Sequence, residues 1–104
     1  MKVYISGKVT GLKDYMRHFC KAELDLMERG YSVVNPALTN MTLPQDTTYD
    51  EYMAMSMLML SMCDTIYMLD NWIDSPGAKK EFEYAVRNNY TLMFEGESPC
   101  MSIS

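Results

Sequence analysis

The chain opens with a short apolar run that ends in a glycine, Lys2-Val3-Tyr4-Ile5-Ser6-Gly7. This run predicts a strand over residues 2–6. Gly7 and Gly11 bracket the turn that follows, and apolar side chains then recur at helical spacing over residues 15–29. A strand, a glycine-bounded turn and a helix in this order predict the start of a β-α-β unit.

The rest of the chain continues the alternation. The spacing of apolar residues predicts strands over residues 31–34, 65–69 and 91–94. Ser75-Pro76 is a strong helix start, with an N-cap serine before a proline, and the helix runs to about Asn88. We expect residues 36–47 to form a polar loop, which is long for a compact domain.

This order of elements predicts a fold. Alternating strands and helices indicate an α/β protein with a parallel sheet and helices on both faces. Right-handed crossovers favour a small doubly wound, flavodoxin-like sheet with strand order 2-1-3-4. We expect one domain over residues 1–94 and a loose C-terminal tail over residues 95–104.

Composition and charge exclude several classes of function. About half of the 104 residues are apolar, and the net charge is −5. An acidic chain without a basic run argues against nucleic-acid polymers and anionic membranes as partners. No stretch reaches the roughly 18 apolar residues of a membrane span. The three cysteines form no C-x-x-C pair and there is one histidine, so the sequence argues against a zinc site. The odd number of cysteines and the lack of a signal-like start predict a cytoplasmic protein.

Ligands of doubly wound sheets bind at the carboxyl ends of the strands, between strands 1 and 3. Two loops meet that description, residues 6–11 and residues 70–78, and both carry glycines that let a ligand approach the backbone. The second loop opens a helix, so the N–H groups near Gly77 form a potential anion site. Ordinary turns are the alternative interpretation of both loops.

Glu81 is the candidate reactive residue. It follows Gly77 by four positions and Ala78 by three, so two small residues share its helix face. A carboxylate beside open space at a strand's carboxyl end is a candidate nucleophile or base. The alternative is a surface charge paired with a neighbouring lysine.

Three segments together resemble a known family: Tyr4-Ile5-Ser6-Gly7, Cys63-Asp64-Thr65-Ile66-Tyr67, and residues 72–81 with Ala85 after them. They are similar to the nucleoside 2-deoxyribosyltransferase superfamily. The similarity is greatest to its small transferase-like branch, which also resembles the 2′-deoxynucleoside 5′-phosphate N-hydrolases. The resemblance covers residues 2 to about 94 and implies a nucleoside or nucleotide as the small-molecule partner.

The resemblance also implies roles for individual residues. Glu81 matches the catalytic glutamate that attacks C1′ of the sugar and forms a glycosyl-enzyme ester, as in retaining glycosidases. Ser75 matches a phosphate-contacting serine of the N-hydrolases, Tyr4 matches a pocket tyrosine, and Gly7 matches the glycine of the first loop. Trp72 is a candidate for stacking on the base. The full set of predicted substrate-binding residues is Tyr4, Ser6, Gly7, Lys8, Ser56, Trp72, Ser75, Gly77 and Ala78.

One position departs from the family. The related enzymes carry an aspartate that helps to position the sugar and protonate the leaving base, and here that position is Ser56. A hydroxyl cannot supply that proton near neutral pH. Asp50, Asp70 and Asp74 are possible substitutes, and Asp70 is predicted as the second catalytic residue because it ends strand 3. The alternatives are a nucleotide-binding protein without catalysis and a structural homo-oligomer with a vestigial pocket. No cofactor or metal is needed.

Methionine is the most unusual residue in the composition, with 12 of 104 positions. Five of the twelve lie between Met53 and Met62, and the first four, at positions 53, 55, 57 and 59, alternate as in a strand. The helix propensity of Met, Leu and Ala and the length of the run favour a helix over residues 48–62, with Thr48 and Glu51 as a capping box. This helix is apolar almost all round, so we expect it to form a homo-oligomer interface.

Overall fold

One or two helices separate successive strands throughout residues 1–96, the part of the chain that this computed structural model describes. The four strands in that part are β1 (Lys2–Ser6), β2 (Ser32–Val34), β3 (Thr65–Met68) and β4 (Thr91–Phe94). The four α-helices there are α1 (Tyr15–Glu28), α2 (Pro36–Asn40), α3 (Tyr49–Ser61) and α4 (Pro76–Arg87). A 3₁₀ helix over Asp70–Asp74 joins β3 to α4. Most of the tail predicted over residues 95–104 lies outside the described residues.

All four strands run parallel in the order β2-β1-β3-β4. Tyr4 of β1 lies between Val34 of β2 and Ile66 of β3 in register. The predicted α/β class, strand order and parallel sheet are therefore confirmed. The chain changes direction across the sheet between β1 and β3, which is where such folds open a cleft.

The two faces of the sheet bury different halves of the core. Because side chains alternate along a strand, Val3 and Ile5 point to one face and Tyr4 and Ser6 to the other. The first face packs against α1 through its buried side chains Phe19, Ala22 and Leu26. The second face packs against α3 and α4 through residues including Met59, Leu60, Ala78 and Ala85. Helices thus cover both faces, and Tyr4 and Ser6 point toward α4.

The segment predicted as a polar loop contains a helix, and this prediction was wrong over α2. The Asn35 side chain accepts a hydrogen bond from the Ala37 N–H at 3.0 Å, and Pro36 occupies the first helical position. This is the same pairing of N-cap and proline that begins α4 at Ser75-Pro76, so the signal was present in the sequence. It was missed because a helix of five residues leaves no periodic pattern.

The methionine-rich segment is helical, as predicted. Thr48 and Glu51 form the expected capping box, in which each side chain accepts a hydrogen bond from the other's backbone N–H. Within residues 1–96, no helix combines the length and apolar character that a bilayer crossing requires.

Candidate active site

A cavity of about 670 Å³ opens at the carboxyl end of β1. That volume is typical of a site for a small molecule. Its walls come from the turn after β1, from α1, α2 and α3, and from the start of α4. Eight of the predicted site residues line it: Tyr4, Gly7, Lys8, Ser56, Ser75, Gly77, Ala78 and Glu81. The two loops selected from the sequence thus meet at one cleft.

Glu81 is buried at this cavity, with 6% of its surface exposed. Tyr4 Oη donates a hydrogen bond to Glu81 Oε2 at 2.5 Å. Ser6 Oγ donates to Glu81 Oε1 at 2.6 Å. Both oxygens of the carboxylate are therefore held by neutral donors on β1, and the interpretation of Glu81 as a surface charge paired with lysine is wrong. Glu83, two positions on, is exposed.

Burial changes the acid–base properties of this pair. Loss of water around Glu81 raises its pKa to about 7, while the hydrogen bonds from Ser6 and Tyr4 act in the opposite direction. Burial, followed by the negative charge of Glu81, raises the pKa of Tyr4 well above its ordinary value. Tyr4 therefore remains a hydrogen-bond donor at neutral pH, where Glu81 exchanges its proton. A carboxyl group that ionises near neutrality is suited to act as a nucleophile or base.

The N-terminus of α4 is built as the sequence predicted. Ser75 Oγ accepts a hydrogen bond from the Ala78 N–H at 3.1 Å. α3 approaches Gly77 closely, since a Cβ there would lie 3.0 Å from Met53 Sδ and 3.4 Å from Tyr49 Oη. The methionine-rich helix therefore reaches over the start of α4 and forms one wall of the cavity.

The turn after β1 is held against the 3₁₀ helix. The Lys8 N–H donates to Asn71 Oδ1 at 2.9 Å. A Cβ at Gly7 would lie 2.6 Å from Leu69 Cδ1, so only glycine fits there without a shift. These contacts place the backbone of residues 7 and 8 at the cavity.

The carboxylates predicted as substitutes for the missing aspartate differ in position. Ser56 is buried on α3 and lines the cavity, with its hydroxyl close enough to Tyr4 to influence the pKa of that phenol. Asp74 lines the cavity as well. Asp70 does not: among the described residues it is exposed beyond the end of β3, and its backbone N–H donates to Glu95 at 2.9 Å. Asp50 is exposed near the start of α3, also outside the lining.

Trp72 does not line the cavity as the described residues define it. Its ring packs against Phe82 with the centroids 4.7 Å apart and against Phe94 at 6.4 Å. The predicted stacking on a base is therefore replaced by packing between the 3₁₀ helix, α4 and β4. Sequence alone could not distinguish these roles because both use an aromatic ring beside a loop.

Several cavity residues were not anticipated from the sequence. The α3 wall includes Tyr49, Tyr52 and Met53. The α2 wall includes Pro36, Ala37 and Asn40, and Tyr15 and Phe19 of α1 lie beside it. The α2 residues were missed because their segment was expected to be a loop. The tyrosines of α3 were missed because Ser56 was the one residue of this helix that the resemblance assigned to the site.

The sequence of the chain matches a family model over residues 1–94, described as a domain of unknown function, DUF4406. The chain belongs to the DUF4406 family. No curated protein sequence matches this chain.

A solved structure extends this assignment at the level of the fold. The DUF4406 chain resembles the 2-deoxyribosyltransferase of the psychrotolerant bacterium Bacillus psychrosaccharolyticus with a TM-score of 0.73 and 18% sequence identity. The match covers 99% of this chain and 80% of that chain. The resemblance to nucleoside deoxyribosyltransferases noted from the sequence is therefore confirmed for the fold.

Proposed function

We propose that the protein cleaves the N-glycosidic bond of a nucleoside or a nucleoside 5′-monophosphate, with Glu81 as the nucleophile. The observation that carries this proposal is the buried Glu81 carboxylate at the cavity, with one oxygen held by Tyr4 and the other by Ser6. The similarity in fold to a 2-deoxyribosyltransferase supports the substrate class.

The proposed reaction has two displacements. In the first, an oxygen of ionised Glu81 forms a bond to C1′ of the sugar, the C1′–N bond breaks, and its electron pair leaves with the base, which takes up a proton. In the second, water attacks C1′, releases the sugar, loses a proton and restores the carboxylate. A second base in place of the water gives transfer rather than hydrolysis. The hydrogen bonds from Tyr4 and Ser6 orient the attacking carboxylate.

The residues at the start of α4 favour an anionic substituent on the sugar. Ser75 and Gly77 lie at the N-terminus of α4, where the backbone N–H groups and the helix dipole favour negative charge. Lys8 and Lys80 also line the cavity. We infer that the 5′-phosphate of a nucleotide binds at this end, which favours hydrolysis of a nucleoside 5′-monophosphate.

Protonation of the leaving base requires an acid. Asp74 is the carboxyl group of the cavity lining that is not already held by Tyr4 and Ser6, so we propose it for this role in place of Asp70. The test of this role is to measure the release of free base by the Asp74→Asn variant, in the assay described below.

A second candidate function is nucleotide binding without catalysis. It is favoured by Ser56, because the hydroxyl beside Tyr4 occupies the wall where the related enzymes carry an aspartate. In that case ligands raise the Tm of the protein without being consumed.

Base release separates the two functions. The wild-type protein is incubated with the common nucleosides and their 5′-monophosphates, in ribo and deoxy forms, and free base is measured by liquid chromatography. We expect release from at least one compound, and a loss of about 10³-fold or more in Glu81→Gln, since removing a covalent nucleophile removes the pathway. The matched control is Glu83→Gln, which changes an exposed carboxylate on the same helix. Absence of base release from every compound refutes the enzymatic proposal.

We also infer a homo-oligomer formed through residues 53–62, which comprise most of α3 and its C-cap Met62. This inference rests on side chains of α3 and its C-terminal end that remain exposed in the single chain: Met55, Leu58 and Met62.

A further inference from the structure

Two side chains from different helices meet at the part of the cavity where α4 begins. Lys80 Nζ of α4 lies over the ring of Tyr49 of α3, 5.8 Å from the ring centroid. Both residues line the cavity and both are exposed. An ammonium group at this distance is attracted by the π electrons of the ring. The contact therefore joins α3 to α4 at a place that a ligand can reach.

The phenol oxygen of Tyr49 lies close to the start of α4. A Cβ built at Gly77 would be 3.4 Å from Tyr49 Oη. Gly77 and Lys80 are three residues apart, so they share one face of α4. The hydroxyl of Tyr49 and the ammonium group of Lys80 are thus two hydrogen-bond donors beside the first turn of α4, where the 5′ substituent of the sugar is proposed to bind.

No carboxylate neutralises the charge of Lys80 within residues 1–96. Neither of the two ion pairs in that part of the chain involves this residue. The Tyr49 ring attracts the ammonium group without removing its charge, and it restricts a flexible side chain before a ligand binds. Lys8 also lines the cavity, where the described residues supply one carboxylate, Asp74, besides the buried Glu81. The free charge of Lys80 favours an anionic ligand.

We propose that Tyr49 and Lys80 together recognise the 5′-phosphate, with Tyr49 Oη donating a hydrogen bond to a phosphate oxygen and Lys80 Nζ pairing with the phosphate charge. This inference rests on the proposed function, which places the sugar at Glu81. A phosphate group has several acceptor oxygens as well as negative charge, so it can engage a neutral donor and an ammonium group at once. A nucleoside presents only an uncharged hydroxyl at the same position. Tyr49 and Lys80 therefore determine specificity for a nucleotide over a nucleoside.

The test compares ligands that differ only in the 5′-phosphate. The four common deoxynucleosides and their 5′-monophosphates are titrated calorimetrically into Glu81→Gln protein, in which turnover is blocked. We expect the monophosphates to bind about 100-fold more tightly, and this preference to fall about 10-fold in Tyr49→Phe and in Lys80→Gln. Tyr49→Phe keeps the ring over the lysine, so it reports the hydrogen bond alone. Lys79→Gln is the control, because Lys79 is exposed on the same helix and lies outside the cavity lining.

Thermal unfolding separates recognition from stability. Tyr49→Phe leaves the Tm of the free protein unchanged, because the residue is exposed. A lower Tm with equal losses of nucleoside and monophosphate affinity identifies a structural role for Tyr49 and overturns the inference. Equal affinity for the paired ligands, a preference that survives either substitution or is lost equally in Lys79→Gln, or no binding of any ligand also overturns it.

The base-release assay is judged separately from this specificity. If wild-type protein releases no base but the preference for monophosphates depends on Tyr49 and Lys80, catalysis is refuted and the assignment of these two residues stands. If base is released equally well from nucleosides and monophosphates, and Tyr49→Phe changes neither rate, the enzymatic proposal stands and the recognition of phosphate by Tyr49 and Lys80 is refuted.

Discussion

Glu81 shows how the surroundings of a single residue change its acid–base properties. Its carboxyl group is buried with two neutral hydroxyl donors, and no ion pair within residues 1–96 involves it. Desolvation therefore dominates, and the pKa of Glu81 rises to about 7. The burial that supports the proposed role of Glu81 as nucleophile also makes its ionisation unfavourable to folding.

This coupling predicts a pH dependence of stability. Between about pH 4.5 and 7 the unfolded chain has already released the Glu81 proton while the folded chain retains it, so the free energy of unfolding falls as the pH rises. The contribution is about 3 kcal/mol for this difference in pKa. Urea unfolding at pH 5 and pH 8 measures it: relative to wild type, Glu81→Gln gains about that amount at the higher pH.

Glu83→Gln is the control for this measurement, because Glu83 is exposed on the same helix and its removal leaves the pH dependence unchanged. Identical pH dependence in wild type and Glu81→Gln contradicts the assignment of the raised pKa to Glu81.

At the scale of elements, the 3₁₀ helix after β3 packs α4 against β4. Its Trp72 ring joins Phe82 of α4 to Phe94 of β4. We expect Trp72→Ala to lower the free energy of unfolding by about 2 kcal/mol, roughly half the effect of a fully buried tryptophan, because Trp72 is half-buried. We expect the proposed nucleotide affinity to remain unchanged, since Trp72 is not part of the cavity lining within the described residues.

Circular dichroism during urea unfolding, with calorimetry for affinity, checks both statements. Ile73→Ala is the matched variant, because Ile73 belongs to the same 3₁₀ helix and is exposed. It changes stability by less than about 0.5 kcal/mol. A large loss of nucleotide affinity in Trp72→Ala, with stability preserved, restores the stacking role that the sequence suggested.

At the scale of the whole molecule, α3 connects the cavity to the surface. Ser56 and Met53 line the cavity, whereas Leu58 has 60% of its surface exposed on the same helix. If this exposed side meets a second copy, burial of apolar surface drives association. We predict that Leu58→Glu converts the oligomer to a monomer, because pairing would bury an unpaired charge.

Analytical ultracentrifugation of wild type and Leu58→Glu measures this change. Leu24→Glu is the control, since Leu24 is equally exposed but lies on α1, on the other face of the sheet. A monomeric wild type, or an oligomer that persists in Leu58→Glu, contradicts the interface on α3.

Local patterns in the sequence were sufficient for the order of the four strands and the three longer helices, but not for α2. Ser75-Pro76 marked the start of α4, Thr48 and Glu51 marked the start of α3, and the apolar run at Val3 marked the central strand. Each of these signals depends on neighbours within about four residues, which is the range over which capping and periodicity act. The strand order then follows from crossover handedness, a general property of chains of L-residues.

Long-range contacts decided what each side chain does. Glu81 is paired with Tyr4 and Ser6, which precede it by 77 and 75 residues, and no local pattern specifies that contact. No local pattern specifies the packing of Trp72 against Phe82 either. Asn40 lines the cavity from α2, a helix too short to show a periodic pattern in the sequence. The sequence by itself determined the fold and the position of Glu81 on a helix beside a cleft. Its burial and raised pKa depended on the tertiary structure, because desolvation is set by every element that surrounds a group.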